Sequence, residues 1–339
     1  MSHLLAEFTT LRLGGPARRV VTAGSTAELV DAVRTADAQG ERLLVIGGGS
    51  NLVVGDDGWD GVVVLVRNTD VVVRTDSERA QITVDAGVTW DDLVADTVAQ
   101  EFSGLAAMSG IPGSTGGTPV QNVGAYGIEV ADVISEVRVL DRHTGELEDW
   151  PAARCAFAFR SSAFKHTDRY VVLTVTLTLP QSPDAPPIRY AELARRLGVE
   201  IGEAAPSKDV REAVLALRAS KGMVLDEPDP DTWSVGSFFV NPFVEPDLVP
   251  EGCPHWATDE GIKLSAAWLI EHAGFGKGFG LDRGDGRVAL STKHTLALTN
   301  RGGATTAELL ELAANIRDGV ERRFGIRLRP EAHLVGVQF

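Results

Sequence analysis

IGGGSNLVV, at residues 46–54, and SGIPGSTGGTPVQNVGAYG, at residues 109–127, are the two stretches that decide the fold of this chain. The first continues an apolar run, Arg42–Ile46, that predicts a short strand ending in glycines. The second contains six glycines and two prolines in nineteen residues, so no regular helix or strand fits it. Each stretch therefore predicts a loop with bare backbone N–H groups, which is a common way to hold a phosphate.

Neither loop has the pattern of the common nucleotide-binding folds. A dinucleotide-binding turn needs a third glycine where this chain has Leu52, and no helical periodicity follows. The lysine-containing phosphate loop of ATPases is absent as well. The net charge of −15 repels nucleic acid and anionic lipid, so an anionic ligand must be held by local groups. Two N–H-rich loops meet that requirement without cations, and we expect them to surround a long diphosphate ligand.

The remaining periodicities predict an α+β protein without a regular βαβ repeat. Helices are predicted at Ser25–Gln39, after Thr89, after Ser207, at Lys263–His272 and at Thr305–Phe324. Strands are predicted at Arg42–Ile46, Val62–Val66, Val71–Val73, Ile82–Val84, Glu136–Leu140, Gly145–Trp150, Tyr170–Leu179 and Ile326–Val337. No apolar run reaches the roughly 18 residues that span a bilayer, and the N-terminus lacks a signal-peptide pattern. The two cysteines, Cys155 and Cys253, form no metal or redox motif, which is typical of a cytoplasmic protein.

Five motifs, ordered along nearly the whole chain, resemble those of UDP-N-acetylenolpyruvoylglucosamine reductases. They are the two glycine loops, CAFAFRSSAFK at Cys155–Lys165, VGSFFVNP at Val235–Pro242 and LRPEAHLVG at Leu328–Gly336. The resemblance implies an FAD-binding domain of the vanillyl-alcohol-oxidase (PCMH) type over residues 1–206, with two α+β subdomains at about 1–70 and 71–206. It also implies a smaller α+β substrate-binding domain at 207–325, and a C-terminal strand at 326–339 that returns Glu331 to the active site.

The resemblance further implies a flavin oxidoreductase of peptidoglycan synthesis, and hence of cell-wall formation, cell shape, cell cycle and cell division. NADPH reduces FAD, and a hydride then passes to the terminal vinyl carbon of UDP-N-acetylglucosamine enolpyruvate, giving UDP-N-acetylmuramate. We expect noncovalent FAD, because neither glycine loop contains a His or Cys that could tether it. The residues expected to contact FAD are Gly47, Gly48, Gly49, Ser50, Asn51, Ser109, Ile111, Pro112, Gly113, Ser114, Gly117, Asn122, Gly124, Ala125 and Tyr126.

Three residues are expected to carry the chemistry of the second hydride transfer. By resemblance Arg160 is the catalytic arginine, and its planar fork suits a carboxylate that gains electron density in the transition state. Ser237 resembles the family's proton donor to the α-carbon. Glu331 helps only if it is protonated and donates a hydrogen bond, since an ionised glutamate would repel the substrate carboxylate. Taken without the motifs, these residues are a surface arginine, a turn serine and an exposed glutamate.

Four further residues are expected on the substrate side. Lys221 resembles a lysine near the substrate phosphate and nicotinamide, and it lies about one helical turn from Arg218. Tyr190 resembles the tyrosine of a mobile loop that marks one of the family's two types and reaches the diphosphate. Asn241 is expected near the uridine or phosphate, and His294 is a further candidate. Phe159 departs from the family pattern, which often has Tyr there, so one hydroxyl contact is missing or supplied elsewhere.

Two other functions remain open from the residues alone. One is an alcohol or lactone oxidase of the same fold, which the absence of a tethering residue disfavours. The other is a flavin or nucleotide carrier without activity, which the joint presence of Arg160, Ser237 and Glu331 disfavours. We expect a monomer that binds the sugar nucleotide and NADPH, with no metal, no nucleic acid partner and no membrane insertion.

Overall fold

The computed structural model describes residues 3–258 and 261–339, and within them it has six α-helices and seventeen β-strands. The helices are α1 (Thr26–Ala38), α2 (Trp90–Ala99), α3 (Ala191–Leu197), α4 (Ser207–Ser220), α5 (Ala266–His272) and α6 (Thr306–Phe324). The first eleven strands are β1 (Ala17–Ala23), β2 (Leu43–Ile46), β3 (Leu52–Val54), β4 (Trp59–Val66), β5 (Val71–Thr75), β6 (Arg79–Asp85), β7 (Gly124–Ala125), β8 (Ile128–Glu129), β9 (Ile134–Asp141), β10 (Glu146–Pro151) and β11 (Tyr170–Pro180). The last six are β12 (Phe243–Val244), β13 (His255–Thr258), β14 (Gly261–Leu264), β15 (Val288–Leu290), β16 (Leu298–Asn300) and β17 (His333–Val335). This content confirms the predicted α+β class.

The chain divides into two compact units. The N-terminal unit comprises Arg18–Gly48 and Asp60–Ala219, and the C-terminal unit comprises the segment ending at Ala17, Gly49–Trp59 and Ser220–Phe339. This division differs from a boundary at residue 207, because α4 buries Val210 and Val214 in the core of the N-terminal unit. Residues near the N-terminus likewise depart from the predicted domain, since Leu11 and Leu13 lie in the core of the C-terminal unit.

The N-terminal unit contains a five-stranded sheet of order β10–β9–β11–β6–β5, in which every pair is antiparallel. A second sheet has the order β1–β4–β2, with β2 and β4 parallel. The strands predicted at Glu136–Leu140 and Gly145–Trp150 form a hairpin, because Glu146 pairs with Asp141 and the Gly145 N–H donates to the Asp141 carbonyl at 2.7 Å. β11 is rich in valine and threonine, which favour a pleated strand, and it occupies the middle of its sheet.

The C-terminal unit has its own hydrophobic core, to which α6 contributes Leu309, Ala313, Ile316 and Val320 from one face. Three small sheets complete it: β12–β14–β13, β15–β16 and the parallel pair β17–β3. The parallel pair joins the C-terminal segment to the residues that directly follow the first glycine loop, because His333 lies opposite Leu52. Chain positions almost 300 residues apart therefore meet within this unit.

Helix boundaries were predicted well where a capping side chain marks them. The Ser25 hydroxyl accepts the Glu28 N–H before α1, and Thr305 forms a reciprocal capping box with Glu308 before α6. The helix predicted after Ser207 begins one residue earlier, because Ser207 is itself the first residue of α4. Its buried hydroxyl oxygen has no hydrogen-bond partner in the described residues.

Two other element predictions were wrong. The predicted helix at Lys263–His272 is the end of β14 followed by α5, because Ser265 caps the helix through the Trp268 N–H. The predicted strand at Ile326–Val337 is reduced to β17, because only residues 333–335 have a partner strand in β3.

Candidate functional site

The two glycine loops approach each other closely at Gly48 and Gly113, both in the N-terminal unit. A Cβ atom on Gly48 would lie 2.5 Å from the Gly113 Cα and 2.8 Å from the Gly113 carbonyl carbon. A Cβ on Gly47 would collide with the Ser114 hydroxyl. Gly113 itself has a φ of +128°, which side-chain-bearing residues rarely adopt. These glycines are therefore required for the two loops to pack against each other. Because glycine has no side chain, the packed loops present only backbone atoms at these three positions.

The second loop is anchored along residues 86–90. The Thr115 N–H donates to the Val88 carbonyl at 2.8 Å, and the Gly116 N–H donates to the Ala86 carbonyl at 2.9 Å. The Gly113 carbonyl accepts from the Trp90 N–H at 3.0 Å, at the start of α2. The loop is thus fixed in place, although it has almost no regular secondary structure.

Two charged groups that the sequence did not point to stabilise these loops. Asp91 accepts the Gly110 N–H at 2.6 Å and binds Arg211 of α4 through both carboxylate oxygens, at 2.7 and 2.9 Å. Burial raises the pKa of Asp91, but the hydrogen bonds from Arg211 and Gly110 outweigh burial and hold that pKa below its usual range. Arg67 donates to the Gly47 carbonyl at 2.8 Å, and burial lowers its pKa.

The structure distributes the predicted FAD residues over both units. The N-terminal unit holds Gly47, Gly48, Ser109, Ile111, Pro112, Gly113, Ser114, Gly117, Asn122, Gly124, Ala125 and Tyr126, and the C-terminal unit holds Gly49, Ser50 and Asn51. Two of the predicted side chains bind protein groups. The Ser109 hydroxyl donates to the Ala106 carbonyl at 2.7 Å, and the Asn122 amide has three protein partners.

Tyr190 meets one predicted FAD residue, Tyr126. Their rings pack edge to face, with centroids 5.4 Å apart. Tyr190 is 45% exposed, whereas burial raises the pKa of Tyr126. The positive charge of Arg218 lies close enough to Tyr126 to lower its pKa, which opposes the effect of burial. Burial lowers the pKa of the Arg218 guanidinium itself. The exposed tyrosine therefore lies directly beside the second glycine loop.

Arg160 occupies a strained turn beside the same loop. Ala158 and Ser161 exchange two backbone hydrogen bonds, of 3.0 and 3.1 Å, and Arg160 between them has a φ of +51°. Its guanidinium donates to the Gly124 carbonyl at 2.9 Å. The structure therefore brings this predicted catalytic residue together with the loop predicted to bind FAD. Phe159, which precedes it, is 39% exposed.

Ser237 and Glu331 belong to paired segments of the C-terminal unit. The Glu331 N–H donates to the carbonyl of Phe238 at 2.8 Å, and the Val240 N–H donates to the Arg329 carbonyl at 3.1 Å. The Phe238 N–H donates in turn to the Leu296 carbonyl at 2.8 Å, which adds the segment after His294. Ser237 and Glu331 are both partly exposed. Two motif segments and the segment after His294, which are distant in sequence, therefore meet here.

The other predicted substrate residues also lie in the C-terminal unit. Lys221 directly follows Ser220, the last residue of α4, so the helix that contains Arg218 ends before Lys221. Asn241 accepts the Ala266 N–H at 2.9 Å and so helps to start α5. The His294 loop is held by Asp231, an unpredicted residue that accepts hydrogen bonds from the Thr292 N–H at 2.9 Å, the Thr292 hydroxyl and Arg301.

The described residues contain neither a membrane-spanning helix nor a metal-binding cluster. In residues 3–258 and 261–339, no helix is long and apolar enough to cross a bilayer. Over the same ranges, no group of three or more His, Cys, Asp and Glu side chains is arranged to hold a metal ion.

Comparison with known proteins places this chain among the proteins that bind FAD. Residues 17–150 match the family described as "FAD binding domain", so the glycine loops belong to a flavoprotein. Residues 228–335 match "UDP-N-acetylenolpyruvoylglucosamine reductase, C-terminal domain".

Relatives over the whole chain give the family. A UDP-N-acetylenolpyruvoylglucosamine reductase from Salinispora arenicola is 54% identical, covering 98% of this chain and 94% of its own. One from Cutibacterium acnes is 52% identical, covering 98% and 89%. The crystal structure of such a reductase from Thermus caldophilus has a TM-score of 0.68 at 25% identity, covering 99% and 98%. This chain therefore belongs to the UDP-N-acetylenolpyruvoylglucosamine reductases, which confirms the predicted family, the FAD-binding fold and the assignment as an FAD-dependent oxidoreductase.

Proposed function

We propose that this enzyme reduces the enolpyruvyl ether of UDP-N-acetylglucosamine to UDP-N-acetylmuramate, with NADPH as the source of the hydride. One structural observation supports this assignment above the others. The Glu331 N–H donates to the Phe238 carbonyl, so the two C-terminal motifs that carry Ser237 and Glu331 lie side by side. This pairing brings together the two residues that the proposed reaction requires in one site.

The residues of the two loops suit FAD. Gly48 and Gly113 approach so closely that no side chain fits between them, and N–H groups of the adjoining backbone are then free to approach a diphosphate. No cation is required in such a site, which agrees with the net charge of −15. When bound, FAD accepts a hydride from NADPH and transfers it to the terminal vinyl carbon of the substrate.

Arg160 is proposed to bind the substrate carboxylate. Hydride addition moves negative charge onto the α-carbon and into that carboxylate, so a fixed guanidinium stabilises the charge as it develops. The bond to the Gly124 carbonyl uses one Arg160 nitrogen. The guanidinium carries five N–H donors in a planar fork, a geometry that matches the two oxygens of a carboxylate.

Ser237 is proposed to deliver a proton to the α-carbon, and Glu331 is proposed to act as a neutral hydrogen-bond donor. A serine hydroxyl is a weak acid, but the carbanion formed beside it is a strong base. Glu331 must be protonated in the complex, because an ionised carboxylate next to the substrate carboxylate would repel it. On this assignment both groups act in the oxidation of reduced FAD and neither acts in its reduction.

The C-terminal unit is proposed to bind most of the sugar nucleotide. Lys221, Asn241 and His294 are proposed on the diphosphate and uridine side, and Tyr190 is proposed to contact the diphosphate. The cationic Lys221 and the donor groups of the other residues match the acceptor oxygens of a nucleotide diphosphate. The glycine loops and the strands around them are proposed to form the FAD domain.

The enzyme is further proposed to act as a monomer in the cytoplasm, without a nucleic acid partner. Its net charge of −15 supports the last point, since an acidic surface repels a polyphosphate backbone. A cytoplasmic location agrees with the two free cysteines, both of which are buried.

The decisive experiment observes the two half-reactions separately in Ser237→Ala. The purified protein is expected to be yellow, to bleach with NADPH at the wild-type rate, and to reoxidise very slowly when the enolpyruvyl sugar nucleotide is added anaerobically. Ser237→Cys is expected to recover part of the rate, because a thiol is a stronger acid and occupies similar space.

Ser77→Ala serves as the control, because this serine lies in the exposed turn between β5 and β6. It is expected to match the wild type in both half-reactions. Normal reoxidation of Ser237→Ala would assign the proton to another donor, and loss of FAD from that variant would make the serine structural. A wild-type flavin that the enolpyruvyl sugar nucleotide cannot reoxidise would refute the proposed reaction.

A further inference from the structure

The side chain of Asn122, in the second glycine loop, is hydrogen-bonded to protein atoms through both its amide nitrogen and its amide oxygen. Only 1% of the residue is exposed. Its amide nitrogen donates to Glu129 Oε2 at 2.7 Å and to the Ala158 carbonyl at 3.1 Å, and its Oδ1 accepts the Ala131 N–H at 3.1 Å. Both amide protons and the carbonyl oxygen are therefore used by the protein. A hydrogen bond from this side chain to FAD would require one of these bonds to break.

The Ala158 carbonyl is the group that connects this amide to Arg160. It closes the two-residue turn of Phe159 and Arg160 by accepting the Ser161 N–H at 3.1 Å. Arg160 within that turn has a φ of +51°, a conformation that costs a side-chain-bearing residue free energy. Such a turn persists only when its surroundings fix it. The amide of Asn122 supplies a second hydrogen bond to the carbonyl that defines the turn.

Two further hydrogen bonds fix this segment, one to the second glycine loop and one within the segment itself. The Ser162 hydroxyl donates to the Val120 carbonyl at 2.7 Å, and the Lys165 ammonium donates to the Arg160 carbonyl at 2.7 Å. Asn122 differs from both, because it also connects the turn to Glu129 at the end of β8. Its own φ of +46° is one that asparagine tolerates better than most residues.

We propose that Asn122 is a positioning residue for Arg160 rather than a ligand of FAD: its amide holds the Ala158 carbonyl and thereby fixes the turn that presents the guanidinium to the substrate carboxylate. The proposal rests on the proposed role of Arg160. It predicts a loss that is confined to the half-reaction in which the substrate carboxylate gains charge. Binding of FAD and its reduction by NADPH need no contact with Asn122.

The test uses Asn122→Asp and the exchanged pair Asn122→Asp with Glu129→Gln. An aspartate keeps the shape, the tolerance of positive φ and the acceptor for the Ala131 N–H, but it removes both donors. The single variant also places two carboxylates together, so we expect a lower melting temperature. In the exchanged pair a glutamine N–H donates to the new carboxylate, which restores the link between positions 122 and 129. The Ala158 carbonyl still lacks its side-chain donor.

The exchanged pair is therefore expected to recover the melting temperature, the flavin content and the rate of reduction by NADPH. Reoxidation by the enolpyruvyl sugar nucleotide should remain slower than in the wild type, by on the order of a hundredfold if the guanidinium moves by about 1 Å. Asn315→Asp, an equal change in charge on an exposed position of α6, should leave every one of these quantities unchanged. In an Arg160→Ala background the exchange should add no further loss, because its effect is transmitted through Arg160.

Three results would overturn the proposal. Full recovery of reoxidation in the exchanged pair would show that Asn122 only links positions 122 and 129 and does not position Arg160. Loss of FAD from the exchanged pair, or failure to recover the melting temperature, would assign Asn122 to the cofactor or to folding. An additive loss in the Arg160→Ala background would show that the effect does not pass through Arg160. Failure of the proposed function looks different, because the enolpyruvyl sugar nucleotide would then not reoxidise even the wild-type flavin. Failure of the proposed role of Arg160 would leave Arg160→Lys with normal turnover, whatever residue stands at position 122.

Discussion

Gly48→Ala tests the idea that backbone packing between the two glycine loops makes the FAD site. The added methyl carbon would lie 2.5 Å from the Gly113 Cα and 3.0 Å from the Ser114 nitrogen, whereas ordinary contact begins at 3.4 Å. The loops must therefore separate by about 1 Å, because the obstructing atoms are backbone and cannot rotate away. A shift of that size breaks at least one N–H contact to an anionic diphosphate, and one such bond contributes about 1.5–3 kcal/mol. We expect the Kd for FAD to rise roughly tenfold to a hundredfold.

Equilibrium titration of apoprotein with FAD, followed by quenching of flavin fluorescence, measures this change. Gly47→Ala should weaken binding less, because its methyl group meets the Ser114 hydroxyl, which can rotate. Gly24→Ala is the control within the same unit, since its methyl group would lie 3.5 Å from Glu28 Oε2, an ordinary contact. A Kd for Gly48→Ala within about twofold of the wild type would refute the reasoning, and so would an equal loss in Gly24→Ala.

Two further predictions concern Arg160 and Asp141. Arg160→Lys should lower turnover with NADPH and the enolpyruvyl sugar nucleotide by on the order of a hundredfold, because one ammonium cannot hold the Gly124 carbonyl and a carboxylate as the planar guanidinium can. Arg138→Lys, on the exposed side of β9, is the matched control, and near-wild-type turnover of Arg160→Lys would remove Arg160 from the catalytic role. Hydrogen bonds from Arg169 hold the pKa of Asp141 at about 2 in the folded protein. Because the pKa of an aspartate in the unfolded chain is about 3.9, the ionised Asp141 stabilises the fold above pH 4, and this stabilisation is lost as the pH falls toward 2. Urea unfolding at pH 6 and pH 3 should show a smaller pH dependence for Asp141→Asn than for the wild type, and an unchanged dependence would contradict this assignment.

Local signals in the sequence were sufficient for the elements they control. Thr305 and Glu308 mark the start of α6, and the glycine and proline content of residues 109–127 excludes regular structure there. The same reasoning failed at Lys263, where a strand pairing with β12 and β13 overrides the local pattern. It also overestimated the final strand, since the length of β17 is set by β3, a partner 281 residues earlier at the pair His333 and Leu52. Strand length depends on a distant partner, which a local pattern cannot reveal.

The site residues divide in the same way. Motif resemblance made Arg160, Ser237 and Glu331 the candidate catalytic residues, because each lies in a distinctive run of neighbours. It did not indicate Asp91, because an aspartate in the first turn of a helix is not distinctive. The role of Asp91 depends on its hydrogen bonds to Arg211, which lies 120 positions away in the sequence. A hydrogen-bonded pair of this kind becomes visible only when the fold brings its members together.

Backbone strain is concentrated around the predicted catalytic arginine. Seven described non-glycine residues have positive φ, and four of them lie in the second glycine loop or the Arg160 segment: Asn122, Tyr126, Ala156 and Arg160. Such conformations cost of order 1–3 kcal/mol each, so a fold keeps them only where other interactions compensate. Here the compensation is specific, because hydrogen bonds from Asn122, Ser162 and Lys165 all fasten the Arg160 segment. A surface arginine would need none of this support. A guanidinium that must meet a carboxylate in one orientation does need it, since stabilising charge only as it develops requires a group that is already in place.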